Sequence, residues 1–360
     1  MQPEVKPTDT DSGNTGQSSL PRRRLRVLRQ VEFELPMFLP VYQPSSSLVP
    51  MELWVSDFQV EGCIINAYFL YKQRALRKTF EAGLTLREYV DFDGLLMTDS
   101  GAFQGFTSSV LLKNKNIVRF QDAIGTDVCS PLDLVTPPGD SRRIAEDKMK
   151  ATLKRVEEAK RYTKQSVLAG VQQGGRFLDL RQRSMDGLIE LDCSYIALGS
   201  LVPFFNRNHD LGFVGEVIKQ ARLQLGPKIP IHVYGAGDPV ELPFFWTCGA
   251  DIFDSSSYGH YAQQRCYMTP YGALRSPERL LNQEYVCQCK VCVNTIDPIE
   301  IFDDVAKLAY HNLAMICQTI RELRQITDKN ALTTRLDHIL ERHQSWFLES
   351  KLQQSWEQLN

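Results

Sequence analysis

The chain has 360 residues, 41 Lys and Arg against 43 Asp and Glu, a formal net charge of −2, and nine Cys. That length can bury a full core in one large domain or two ordinary ones, and the charge balance gives no global electrostatic footprint for nucleic acid, though a local basic face can be offset by acids elsewhere. The sparse, odd cysteines exclude a disulfide scaffold, and a polar start with no apolar run near the roughly 18 residues that span a bilayer reads as a reduced, cytoplasmic protein with no membrane segment.

Residues 1–20 hold almost nothing that could enter a core, so 1–22 reads as a disordered tail. A basic patch follows: Arg22, Arg23, Arg24, Arg26 and Arg29. It reads equally well as a phosphate contact and as a solvated start to the fold. From about residue 36 to 257, short apolar runs alternate with longer amphipathic stretches. The runs are MFLPVY (37–42), GCIINAY (62–68), GLLMTDS (94–100), DVCSPLDL (127–134), SVLAGVQ (166–172), SYIALGS (194–200), IPIHVYG (229–235) and ADIFDSS (250–256). Their near-continuous apolar character suits strands buried on both faces of a parallel sheet.

Between them lie helical candidates. Over 141–163, Ala145, Met149, Leu153 and Val156 mark one face, and Asp238-Pro239 provides a cap and first-turn proline for a helix over 239–248. Eight strands alternating with helices point to a (β/α)8 TIM barrel spanning 23–280. A doubly wound open sheet is the runner-up, but neither GxGxxG nor GxxxxGK is present. Residues 281–360 read as a metal-binding and helical C-terminal elaboration, with helices over roughly 298–325 and 331–356.

Three cysteines fall within six residues, Cys287, Cys289 and Cys292. Thiolates this close can converge on one tetrahedral zinc ion, whereas disulfides among them would be strained. His311 is the first choice for a fourth ligand, with Cys317 and His260 as competitors. A site with four protein ligands is closed and therefore structural. Cys63, Cys193, Cys248 and Cys266 lie in or beside apolar runs as small core residues; Cys129 sits near a strand end and is left open.

Active sites of such barrels gather at the C-terminal ends of the strands. Those ends read Asn66, Asp99, Asp133, Gln173, Gly199-Ser200 and Asp254. One Asp alone is a turn or cap residue, but acids and amides at this many successive ends are not what an apolar barrel needs. Two carboxylates can perform retaining glycosyl transfer, one as nucleophile and one as acid then base. Gln and Asp can read the edge of a planar base, and Phe103 either stacks on its face or packs in the core.

The segments LLMTDSGAFQGF (95–106), DVCSPLDLVTPP (127–138), GVQQGG (170–175), YIALGSLVP (195–203), HVYGAG (232–237), DIFDSSSY (251–258) and the CxCxxC site followed by His311 resemble, in order, the tRNA-guanine transglycosylase family. DSGxFQ and the cysteine site are the most specific parts. The resemblance implies a (β/α)8 barrel with one structural Zn2+ per chain. It also implies exchange of a guanine in tRNA for a free 7-deazaguanine base, and a homodimer.

Carried over by the resemblance, Asp254 is the nucleophile that attacks C1′ and forms a covalent enzyme–RNA intermediate, and Asp99 is the general acid/base. Asp133 and Gln173 hydrogen-bond the base edge, Phe103 stacks on it, and Ser200 and Leu201 offer backbone groups. Cys287, Cys289, Cys292 and His311 hold the zinc, although the interval from Cys292 to His311 is shorter than the family's usual one.

Two positions depart from the bacterial pattern: Ala102 replaces a glycine, and Gly199-Ser200 replaces a glycine pair. Asn66 to Tyr71 and LDLVTPP look more like the archaeal branch, which acts in the D-loop to make archaeosine. That branch carries extra C-terminal RNA-binding domains, whereas this chain stops at Asn360. Compactness sets the expectation at the anticodon wobble position, towards queuosine. The alternatives are the D-loop, DNA as the polymer, and a non-catalytic RNA-binding subunit; the presence of Asp254 and Asp99 argues against the last. Arg265, Arg275, Arg279 and Lys290 surround the zinc region and read as either a phosphate track or a solvated surface.

Overall fold

A computed structural model describes residues 4–7, 23–102, 112–206 and 210–359. Strands β1 (Glu4–Pro7), β2 (Arg23–Arg26) and β3 (Glu32–Glu34) form a small antiparallel sheet. The segment 1–22, expected to be a tail throughout, therefore contains a strand. Backbone pairing to the open edge of β2 needs no apolar side chains, which is why composition did not reveal it.

The main sheet is parallel: β4 (Met37–Tyr42), β5 (Gly62–Asn66), β6 (Leu95–Asp99), β7 (Val128–Cys129), β8 (Val167–Leu168), β9 (Gly170–Gln172), β10 (Ile196–Leu198), β11 (Ile231–Val233) and β12 (Ile252–Ser255). Its order is β8-β7-β6-β5-β4-β12-β11-β10-β9. Only Ala169 separates β8 from β9. Its N–H donates to Cys129 O (2.9 Å), and the next N–H, of Gly170, donates to Tyr195 O (2.8 Å). One chain segment thus forms both ends of this order, pairing with β7 on one side and β10 on the other, and the sheet closes into the eight-stranded barrel predicted by the eight apolar runs.

Alternation along each strand separates two cores. Met37, Leu39, Ile64, Leu95, Met97, Val171, Tyr195, Ala197 and Ile252 fill the barrel, with Leu25, Val27, Phe33 and Leu35 from the N-terminal hairpin. Their neighbours Phe38, Cys63, Ile65, Leu96, Ile196, Leu198, Val233 and Phe253 face outward into the layer shared with the helices. In the helix Arg142–Lys160 the buried residues Ala145, Met149, Thr152, Val156 and Ala159 recur at helical spacing, and Ser141 caps its start.

Other boundaries differ from expectation. The helix predicted over 239–248 is Leu242–Cys248, because Asp238 holds a preceding turn, its carbonyl accepting from the Glu241 and Leu242 N–H groups. The segment over 298–325 divides into Pro298–Asp303 and Val305–Gln325 at Asp304, whose carboxylate caps the second helix. The last segment is Lys329–Trp346 followed by Leu352–Leu359. Among the described residues no helix is long and apolar enough to cross a membrane.

The hairpin closes the N-terminal end of the barrel. Arg23 pairs with the fully buried Asp251 at 2.5 Å, which also binds Arg222 and accepts from Ile231 N (2.8 Å). Arg29 and Arg87 meet Asp127 at 2.7 and 3.0 Å. Arg23 and Arg29 of the basic patch are therefore fastenings at the end opposite the strand C-termini. Asp251→Ala strands two arginines and frees the hairpin; urea unfolding is expected to show a loss of about 3–5 kcal/mol.

Candidate active site and metal centre

The inward alternation that fills the barrel with Leu95 and Met97 brings Asp99 to its mouth, and Ile252 is followed inward by Asp254. Asp133, Gln173 and Ser200 lie on the loops after β7, β9 and β10. The structure therefore gathers these five predicted residues at one end. Leu201 turns its side chain into the outer core, so its backbone is what it can offer the mouth. Phe103 lies outside the described residues.

Asn66 fixes one side. Its Oδ1 caps the helix Ala67–Lys72, accepting from Tyr68 N (3.0 Å), which aims its amide nitrogen at Asp99 Oδ2 (3.0 Å). Burial pushes the Asp99 carboxyl up to about 7, the charges of Asp133 and Asp254 push the same way, and the N–H groups of Gly101 and Ser100 oppose them. Gly101 has φ +82°, and a Cβ there would come within 2.4 Å of Tyr68 Cβ. Only glycine lets this turn present its N–H to Asp99.

Gln173 is fully buried and donates from Nε2 to Asp133 Oδ2 (2.6 Å), while its own Oε1 is a buried acceptor with no partner among the described residues. Burial raises the Asp133 carboxyl, opposed by Gln173 and the Arg155 charge. An acid and an amide side by side, with one acceptor open, form an edge able to read a donor–acceptor pattern. Gly199 makes room for it, since a Cβ there would sit 2.6 Å from Gln173 Nε2. Ser200, one of the two departures from the bacterial pattern, adopts φ +59°. Its Oγ accepts from Thr136 N (2.9 Å), which offsets the left-handed backbone.

Asp254 is buried and accepts from Gly235 N at Oδ1 (3.2 Å). His232 Nε2 lies 2.9 Å from the same oxygen. Sequence reasoning missed His232, Tyr195, Tyr234, Ser130 and Arg181. Period-two alternation from the outward Ile231 and Val233 would have placed His232 and Tyr234 inside. Tyr234 and Ser130 share a 2.8 Å hydrogen bond at the mouth. Arg181 is buried without a carboxylate partner among the described residues. Its guanidinium donates to Gly175 O (2.8 Å), Gly199 O (3.2 Å) and Gln172 Oε1 (3.3 Å), tying the loops after β9 and β10 together. Burial lowers its pKa to about 9.

The second cluster is Cys287, Cys289, Cys292 and His311, whose ligand atoms all lie within 4.8 Å of one another. Tetrahedral bonds of about 2.3 Å to sulfur and 2.0 Å to nitrogen require separations of this size. His311 Nδ1 stands 3.7 and 3.3 Å from the sulfurs of Cys289 and Cys292. Its Nε2 is 2.7 Å from Met268 O, so the ring proton belongs there and the Nδ1 lone pair faces the thiols. The donor set fits zinc, and four protein ligands leave no open position. Cys317 is buried apart from the cluster and His260 is exposed. If the cluster holds zinc, Cys289→Ser is expected to lower bound metal to near zero and the melting temperature by several degrees, read by metal analysis and calorimetry.

Three of the four cations expected to flank this centre are bound within the chain. Lys290 pairs with Asp57 (2.5 Å), Arg279 with Glu284 (2.5 Å), and Arg265 donates to Phe302 O (2.7 Å). Arg275 is exposed.

Residues 18–345 match the protein family described as Queuine tRNA-ribosyltransferase. Three curated proteins similar to the chain are named tRNA-guanine(15) transglycosylase. That of Methanopyrus kandleri is 34% identical over 329 residues, covering 89% of this chain and 68% of the relative. The Pyrococcus furiosus protein is 33% identical over 320 residues, 87% and 53% respectively. The Methanosarcina barkeri protein is 34% identical over 298 residues, 81% and 59%. The chain thus spans between about half and two thirds of the length of these relatives. It belongs to the Queuine tRNA-ribosyltransferase family, a family of enzymes.

Proposed function

We propose that this chain exchanges a guanine in tRNA for a free 7-deazaguanine base by double displacement. The observation that carries the reading is the pairing at one barrel mouth of Asp254, held on one oxygen, with Asp99, a carboxyl poised near neutrality. Asp99 in its acid form protonates the departing guanine while an Asp254 oxygen attacks C1′, so the glycosidic bond breaks as a ribosyl ester forms. Guanine leaves, the 7-deazaguanine enters, and Asp99 takes its proton. The new base attacks C1′, the ester bond breaks, and Asp254 is released as carboxylate. Two inversions restore the original configuration.

Asp133 and Gln173 read the base edge, Ser200 and Leu201 contribute backbone groups, and Phe103 stacks on the base face. When bound, zinc supplies a structural anchor for the region after β12, held by Cys287, Cys289, Cys292 and His311. The names of the relatives support guanine 15, in the D-loop, as the target rather than the wobble position expected from compactness. A homodimer belongs to the same reading, supported by the exposed Val286, Val293 and Ile296 near the metal centre.

The test is uptake of radiolabelled guanine into tRNA. Label is expected at position 15 of tRNA and absent from duplex DNA in the same mixture. No label in any tRNA would refute the activity, and label at position 34 would move the target.

A further inference from the structure

His232 is fully buried inside the barrel, and the base exchange as written leaves it without a task. Its ring is packed edge-to-face between Tyr195 and Tyr234, with centroids 6.0 and 4.8 Å away. Nδ1 stands 3.0 Å from the Tyr195 hydroxyl and Nε2 2.9 Å from Asp254 Oδ1. The hydroxyl has one proton and, among the described residues, two polar neighbours, Nδ1 and the Met97 sulfur at 3.8 Å. A thioether is the weaker acceptor. The Tyr195 proton therefore goes to Nδ1, which leaves the ring hydrogen on Nε2, beside the Asp254 carboxyl group.

We propose that His232, its tautomer set by Tyr195, is a positioning residue for Asp254: Nε2–H and the Gly235 N–H share Oδ1, which leaves Oδ2 to attack C1′. This rests on the base-exchange reading above. In the resting arrangement Nε2 has the distance but not the alignment of a hydrogen bond. The proposed role requires a rotation of the carboxylate about Cβ–Cγ that brings the two into line as Oδ2 attacks. In the ribosyl ester Oδ1 is the carbonyl oxygen. When the incoming base attacks C1′, the ester bond's electron pair returns to the carboxylate, and the charge growing on Oδ1 meets two fixed donors. The first step gains from the fixed aim of Oδ2 and the second from the charge stabilised on Oδ1, and both donors act on Asp254, so the effect falls on turnover rather than on binding.

The experiment compares wild type with His232→Leu, His232→Gln, Tyr195→Phe and Asp254→Asn in labelled-guanine exchange, and in single-turnover formation of the covalent tRNA complex on denaturing gels. His232→Leu is expected to lower kcat and the rate of complex formation about 100-fold, with KM for tRNA and guanine unchanged. Glutamine places an amide N–H where Nε2 stands and is expected to recover about tenfold of that loss. Tyr195→Phe keeps the donor but frees its tautomer, for a smaller fall in kcat alone. It also carries the test if the leucine variant does not fold. Wild-type kcat in His232→Leu or Tyr195→Phe, or a glutamine variant no better than leucine, overturns the proposal. A covalent complex in Asp254→Asn overturns the nucleophile assignment and this proposal with it.

Discussion

Asp254→Asn is expected to lower guanine exchange by at least about 10⁴-fold and to abolish the covalent tRNA complex on denaturing gels. The amide is nearly isosteric, and its oxygen can still accept from Gly235 N and face His232 Nε2. The barrel wall therefore stays as it is, and melting should shift by no more than a few degrees. What is lost is the anionic oxygen. An amide cannot attack C1′ at a useful rate or leave from it in the second step. Because the change spares the Asp133–Gln173 edge, affinity for the free base should persist, so binding without turnover is the expected signature.

Asp99→Asn should cost about 10²–10⁴-fold in turnover, the usual contribution of a positioned acid/base, and should also change the dependence on pH. On the proposed mechanism the departing guanine needs the protonated acid, so kcat/KM for tRNA is expected to fall as pH rises through about 7. The asparagine variant should lose that limb. Stability moves in a linked way. The Asp99 carboxyl is raised by its burial above the ordinary range near 4, so its contribution is fully present below that range and is lost as pH rises through about 7. Asparagine carries no such penalty. Thermal melts should therefore show Asp99→Asn gaining on wild type at pH 8 relative to pH 4, while activity falls at both.

The barrel was legible because all eight strands are short, buried on both faces and bounded by polar stretches. One rule about strand ends then placed Asp99, Asp133, Gln173 and Asp254 together. The cysteine spacing was equally readable, since three thiols in six residues have few other uses. Other features depend on three-dimensional proximity that no spacing records. Arg23 and Arg29 belong to Asp251 and Asp127, about a hundred or more residues away, and look the same in sequence whether they hold a phosphate or a barrel. His232 sits in an apolar run where it reads as a core residue until the barrel closes it against Asp254. Arg181 lies on an ordinary helical stretch, and only the fold shows that its partners are loop carbonyls. Ser200, a departure from the glycine pair, becomes intelligible once its φ of +59° and its bond from Thr136 are seen together.

The most direct test of the central claim is to trap the enzyme–tRNA complex in the absence of incoming base, digest both polymers and locate the ribosyl adduct by mass spectrometry. The adduct is expected on Asp254, with none in the Asp254→Asn protein. An adduct on another residue, or guanine exchange that proceeds with no adduct at all, would contradict the account.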